Sequence, residues 1–196
     1  MKKIFILILG FVMPFIASAQ MVTPQQATAD DYIAMLHAGG YESYPFTIPA
    51  KYLKKTATFQ VKEFENHKEV APENSFQIVF DIETERLRIN FYPQEGDSLR
   101  RCVGQWDATI PFILKNKFVI KDDDYGPEPY YFYSVVSQNK DIKFEVGKFI
   151  PLVLYGSGYQ ITDKHTGKHY YKFCGDFDDL VEMSPHYYLI GITILK

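Results

Sequence analysis

Two dense acidic clusters are the residues of this chain with the most chemical potential: Asp122-Asp123-Asp124 with Glu128, and Asp176, Asp178, Asp179 with Glu182. Calcium takes several carboxylate and carbonyl oxygens from a single loop, so either cluster could contribute ligands. Paired carboxylates also carry out glycoside hydrolysis, one as acid and one as base or nucleophile. The Asp122-x-Asp124-x-Gly126 spacing lacks the third acidic position and the distant Glu of an EF-hand loop. The second cluster has the composition of a helix N-terminus, where acids complement the helix dipole. No metal and no cofactor is assigned, and a small hydrolase built on these carboxylates stands as the alternative reading of the chain.

Histidine offers less. His165 and His169 have a four-residue separation, which places two imidazoles on one face only of a helix. Gly167 lies between them, and alternating residues on both sides predict a hairpin instead. His37, His67 and His186 stand in no motif. Gly156-Ser157-Gly158 lacks the Gly-x-Ser-x-Gly spacing of a nucleophile elbow and reads as a turn. The chain has no phosphate-binding Gly-rich loop, no Gly-x-Gly-x-x-Gly and no His-Glu-x-x-His.

Tyrosine is the compositional anomaly, with 15 Tyr and 16 Phe in 196 residues. Adjacent aromatics on a strand point to opposite faces, so Tyr130-Tyr131, Tyr170-Tyr171 and Tyr187-Tyr188 each send one ring away from any single core. An exposed tyrosine ring stacks on sugars and anchors protein interfaces, since its body is apolar and its hydroxyl polar. Tyr130, Tyr131, Tyr133, Tyr170, Tyr171, Tyr187 and Tyr188 are therefore the expected ligand-binding residues. The competing account is a second core layer that buries all of them, which the high β propensity of tyrosine also suits.

The N-terminus predicts where this happens. Lys2 and Lys3 precede an apolar run from Ile4 to Ile16, and Ala17-Ser18-Ala19 supplies the small residues of a signal-peptidase site, with cleavage before Gln20. Pro14 interrupts a run already shorter than the ~20 residues of a spanning helix, and no later segment approaches that length. The expected location is periplasmic or secreted. An oxidising compartment permits Cys102 and Cys174 to form a disulfide, and no Cys-x-x-Cys supports a redox pair or a multi-cysteine zinc site. The formal net charge of −3 becomes more acidic once Lys2 and Lys3 are removed, against what phosphate neutralisation by a nucleic-acid binder requires.

These residues need a scaffold. With 46% hydrophobic and 23% charged residues the chain is neither disordered nor fibrous, and its length suits one domain. Thr28 stands three residues before Asp31 in a capping-box pattern, Tyr32, Met35 and Leu36 have helical spacing, and Gly39-Gly40 is a stop. Residues 41–55, with Pro45 and Pro49, read as a linker. The expected division is 1–19 signal, 20–55 N-terminal segment, and 56–196 β domain.

From Thr56 the period becomes two. Strands are expected at 57–62, 76–83 and 86–91, with the last two forming a hairpin through Glu83 to Arg86. Further strands are expected at 108–113, 117–121, 130–137, 141–146, 149–155, 158–163, 168–174 and 186–195, with a turn at Lys164-His165-Thr166-Gly167. Pro151 predicts that its strand is an edge or is bent at a bulge. Asp176 to Met183 reads as one or two helical turns stopped before Pro185. Gly104-Gln105-Trp106 resembles the Gly-x-Trp that opens the first strand of lipocalins, but too few residues follow Trp106 for an eight-stranded barrel, and no family is assigned.

The fold class expected is all-β, mainly antiparallel: a single-domain sandwich or partly closed barrel with a short N-terminal helix. The expected function is non-enzymatic binding of carbohydrate or another exported protein. An exposed aromatic face would favour binding, and a cleft holding two close carboxylates would favour hydrolysis. The oligomeric state is not legible.

Overall fold

Alternating apolar residues build two antiparallel sheets that face each other across one core. The structure, a computed structural model, describes residues 26–70, 76–95, 99–105, 109–117, 130–135 and 144–196. The four-stranded sheet has the order β1 (Glu42–Thr47), β5 (Arg86–Glu95), β6 (Leu99–Gln105), β7 (Thr109–Lys115). The six-stranded sheet runs β3 (Lys68–Glu69), β2 (Thr56–Glu65), β12 (His186–Ile194), β9 (Phe149–Ser157), β8 (Tyr130–Ser134). Its remaining strand, β4 (Phe76–Asp81), pairs with the first half of β2. A separate ribbon joins β10 (Tyr159–Thr162) to β11 (His169–Lys172). The sheets are not closed into a barrel, so the architecture is a sandwich.

One face of each strand fills the space between the sheets. Leu87, Ile89 and Phe91 of β5 and Phe112 and Leu114 of β7 meet Ala57, Phe59 and Val61 of β2 and Ile190, Ile192 and Ile194 of β12. Rings stitch the layers: Phe59 lies 5.6 Å from Phe112, and Phe91 lies 4.2 Å from Phe132. The opposite face of the six-stranded sheet is also covered. Tyr133, Leu154, Tyr187 and Leu189 pack there against Tyr159 of the ribbon and Leu180 of α2 (Phe177–Met183). This second apolar layer explains why β12 is buried along nearly its whole length.

Local signals place the accessory elements. Helix α1 (Ala29–Ala38) has a complete capping box, in which Thr28 Oγ1 accepts from the Asp31 amide and the Asp31 carboxylate accepts from Thr28 N. Asp176 caps α2 by accepting from Asp179 N at 3.0 Å. In the β10–β11 turn, the Asp163 carboxylate accepts from His165 N and Thr166 N, both at 2.8 Å, and Gly167 takes the positive φ of +69°.

Several expectations are corrected. Residues 76–81 and 86–91 do not form a hairpin: β4 joins β2 in one sheet and β5 joins β1 in the other, so Glu83 to Arg86 crosses between layers. Alternation identifies a strand but not its partner. The stretch read as a linker holds β1, an edge strand that tolerates Pro45. Strand β6, whose charged and apolar residues do not alternate cleanly, was absent from the expected set. Of the two placements expected for Pro151, an edge strand or a bulge, the second is found: its strand β9 is interior and carries an irregularity against β12. The proline sits opposite Gly191, where the β9–β12 register shifts, and beyond the last β8 pairing at Val153, so its missing amide proton interrupts no ladder to β8. The strand expected at 117–121 falls mostly outside the described residues, and of 141–146 only 144–146 are described, where the chain is not a strand.

Among the described residues there is no disulfide: Cys174 is exposed with a free thiol. The expected bridge to Cys102 is not formed. Cys174 follows the ribbon strand β11, whereas Cys102 lies on β6 in the four-stranded sheet, paired in register with Phe91 and Phe112 of its neighbours β5 and β7. Among the described residues no helix is long and apolar enough to cross a membrane.

Candidate functional site

A sandwich of open sheets has two lateral openings, and each carries a cleft. At one, edge strand β1 stands over edge strand β8, and α1 closes the end. Tyr131 points outward from β8 and is 38% exposed, while its neighbours Tyr130 and Phe132 turn into the core. Phe173, just after β11, stacks on Tyr131 with centroids 5.2 Å apart and planes at 24°. This pair lines a cleft of about 410 Å³ with Tyr44 and Phe132 in its wall. The polar groups at its rim are His37, at the end of α1, and Glu42, at the start of β1, joined at 3.3 Å. An exposed tyrosine stacked on a part-buried phenylalanine, beside an imidazole and a carboxylate, can hold a flat, hydroxyl-rich ligand: the ring takes its C–H face, and the polar pair takes its hydroxyls.

At the opposite opening, between β7 and β2, a cleft of about 590 Å³ has an apolar wall that includes Val61, Phe76 and Phe112, and a polar end at Glu63, Lys117 and Tyr188. Behind that end is a closed circuit of hydrogen bonds. The Lys117 amide donates to Tyr130 Oη at 2.9 Å, and Tyr130 Oη lies 2.6 Å from His186 Nδ1. His186 Nε2 lies 3.0 Å from Glu63 Oε1, which accepts from Lys117 Nζ at 2.8 Å. Lys117 Nζ also reaches Glu65 Oε2 at 3.0 Å. A carboxylate only accepts, so the neutral imidazole carries its proton on Nε2 and accepts the Tyr130 proton on Nδ1.

Electrostatics agree with that assignment. Burial pushes the His186 imidazole below its ordinary value of 6.5, against the pull of Glu63. For Glu63, burial alone would raise the carboxyl, but hydrogen bonds from Lys117 and His186 with the Lys117 charge outweigh it and hold the group below the usual range. Hydrogen bonds to Glu63 and Glu65 raise Lys117 in turn. Burial, with the Glu63 charge, raises Tyr188 strongly, so its hydroxyl keeps its proton. The circuit ties β2 and β12 of the six-stranded sheet to the chain just after β7, with Glu63 and Lys117 in the cleft wall.

Of the tyrosines expected to bind, the structure separates one from the rest. Tyr131 is exposed beside another ring. Tyr130 and Tyr188 are buried members of the polar end just described. Tyr133 and Tyr187 lie in the second apolar layer, Tyr187 stacked on Phe64 at 4.9 Å. Tyr171 is half-buried on the ribbon, opposite Gln160, and the side chain of Tyr170 lies outside the described set. Two core layers, not one, therefore take Tyr133, Tyr187 and Tyr188, while Tyr131 stays outside both. Asp176 serves as a helix cap, Asp178 and Asp179 sit in the exposed first turn of α2, and Asp122-Asp123-Asp124 with Glu128 lies outside the described residues. His165 is in the ribbon turn, and His169 meets Thr162 across the ribbon at 3.0 Å. Among the described residues no group of three or more His, Cys, Asp or Glu side chains is arranged to hold a metal ion.

Sequence reasoning missed the two polar pairs at the clefts. Glu63 and His186 are distant in the chain and meet only because β2 and β12 are neighbours, with Tyr188 opposite Glu63 and His186 opposite Glu65. His37 and Glu42 flank the Gly39-Gly40 stop, and that proximity was the one legible signal.

A family model described as a domain of unknown function (DUF5041) matches residues 85–196, the span from β5 to the C-terminus. No curated protein and no solved structure matches the chain.

Proposed function

The chain belongs to that DUF5041 family, whose description assigns no activity, and we propose its function from the geometry: it is a non-enzymatic carbohydrate-binding protein. It is exported, cleaved before Gln20, and periplasmic or secreted. The saccharide stacks on Tyr131 and Phe173, and its hydroxyls meet His37 and Glu42. The observation that carries this reading is the stacked Tyr131–Phe173 pair, in which Phe173 is seated on the second apolar layer and holds the exposed Tyr131 ring at a cleft rim.

The two acidic clusters supply no catalytic carboxylate pair among the described residues, and a hydrolase reading rests instead on Glu63 and Glu65, which lie close together at the second opening and share Lys117. Glycoside hydrolysis needs a carboxyl that keeps its proton near neutrality. Glu63 is held in the opposite sense, as an ion pair, which unfits it for the acid role.

The test is calorimetric titration of the mature protein with neutral and acidic oligosaccharides, repeated with Tyr131→Ala. Loss of an aromatic platform should weaken binding by about 1 to 3 kcal/mol while folding stability changes by less than ~0.5 kcal/mol. Saccharide hydrolysis abolished by Glu63→Gln, or binding unaltered in Tyr131→Ala, would reject the assignment.

A further inference from the structure

The cleft at Tyr131 does not end at the His37–Glu42 pair. The same two side chains form a wall of a second cleft, of about 310 Å³, between α1 and the outer ends of β1 and β5. Across the pair the chemistry changes. On the near side are stacked rings beside polar groups. On the far side Ile33 and Leu36 of α1 face Tyr41 and Tyr92, which meet edge to face at 5.6 Å, with Phe91 behind them. Ser43 and Asn90 also line it, but they hydrogen-bond to each other at 2.7 Å, and that contact engages the Ser43 hydroxyl. The far cleft is therefore an apolar slot, at the small end of the range for ligand pockets.

Helix α1 adds a second observation. It buries none of its residues, although Tyr32, Ile33, Met35 and Leu36 are all apolar and large. An isolated helix of 10 residues is marginal in water and normally gains its stability by covering an apolar face. An apolar group in the slot would cover Ile33 and Leu36.

We infer that the ligand is an amphiphilic saccharide whose sugar occupies the Tyr131 cleft and whose alkyl substituent passes the His37–Glu42 pair into the slot lined by Ile33, Leu36 and Tyr92. This rests on the carbohydrate reading above and names the ligand more closely. The alkyl chain gains by leaving water and makes no demand on polar partners, which suits a wall whose hydrogen-bonding side chains already engage each other.

The test is calorimetric titration with glucose and maltose, with their hexyl and octyl β-glycosides below micelle-forming concentrations, and with hexanol. Affinity should rise about fourfold for each methylene that enters the slot. The double variant Ile33→Ser with Leu36→Ser changes only exposed helix positions, and circular dichroism will check that its melting is unaltered. It should bind the free sugars as the parent does and lose the dependence on chain length. Free-sugar binding with no effect of chain length overturns this inference alone and leaves the carbohydrate reading standing. Hexanol binding as tight as hexyl glucoside overturns it as well, because the chain would then bind without the sugar. Failure of every sugar and glycoside to bind overturns the carbohydrate reading itself.

Discussion

The Tyr188 hydroxyl both accepts from the Lys115 amide, at 3.2 Å, and donates to the Lys115 carbonyl, at 2.9 Å. One side chain from the six-stranded sheet thereby does for the last residue of β7 what a further strand would do. Two residues on, Tyr130 Oη accepts from the Lys117 amide at 2.9 Å, continuing the same period of two. An open sheet edge is a template for unwanted pairing, and these hydroxyls, with Pro111 lacking an amide proton, blunt it.

Removing either hydroxyl should therefore cost stability without altering the core. Tyr188→Phe leaves both main-chain groups of Lys115 without this partner, and Tyr130→Phe removes the donor that faces His186 Nδ1. Each should destabilise by about 1 to 3 kcal/mol in urea unfolding, because a part-buried polar group is left with less than its hydrogen bonds. A value below ~0.5 kcal/mol for both would show that the edge is satisfied by water and needs no tyrosine.

Acid should weaken the protein, and the sign follows from two groups. His186 has a folded-state affinity for protons below that of the unfolded chain, so the unfolded state binds more protons and stability drops as pH falls through about 6.5. Glu63 is likewise depressed from 4.5, so its contribution is present above that value and is lost on further acidification. Protonated His186 would also turn Nδ1 into a donor and displace the Tyr130 proton. Unfolding measured at pH 7.5, 6 and 5 should show a fall approaching at most ~1.4 kcal/mol per pH unit for each proton taken up. His186→Gln should flatten the profile between pH 7.5 and 5, and an equally steep profile in that variant would assign the effect to other groups.

Gly191 should tolerate no side chain. A Cβ there would lie 2.1 Å from the Ile150 carbonyl oxygen and 2.9 Å from its carbon, both backbone atoms at the register shift opposite Pro151. Gly191→Ala should lose about 3 kcal/mol, because one of two central strands must move. Gly167→Ala meets no atom within 4 Å and suffers only from its positive φ, at a cost of about 1 to 2 kcal/mol. Thermal melts that rank the two variants the other way would show that β9 and β12 can part at Gly191 at little cost.

The proposed export makes its own prediction. The intact mass of the protein recovered from its final compartment should correspond to a chain beginning at Gln20. Recovery of a chain that retains Met1 would remove the signal-peptide reading.

Much that is local was legible in the chain. Thr28 with Asp31, Asp176 before α2, and Gly167 in the ribbon turn act through hydrogen bonds and dihedral preferences between residues a few positions apart, and sequence spacing reports those directly. Period-two alternation likewise identified β2, β4 and β5 as strands with one buried face. It could not say that β4 and β5 enter different sheets, because pairing is a contact between distant segments and either partner would satisfy the same pattern. Tyrosine parity shows both the reach and the end of that reasoning. It established that Tyr187 and Tyr188 face opposite ways, but only the tertiary structure laid α2 and the ribbon, both legible as elements, across the face a single core layer would have left wet. Tyr131 escapes because β8 is an edge strand beside the opening, and what distinguishes it from Tyr133 is what covers each ring.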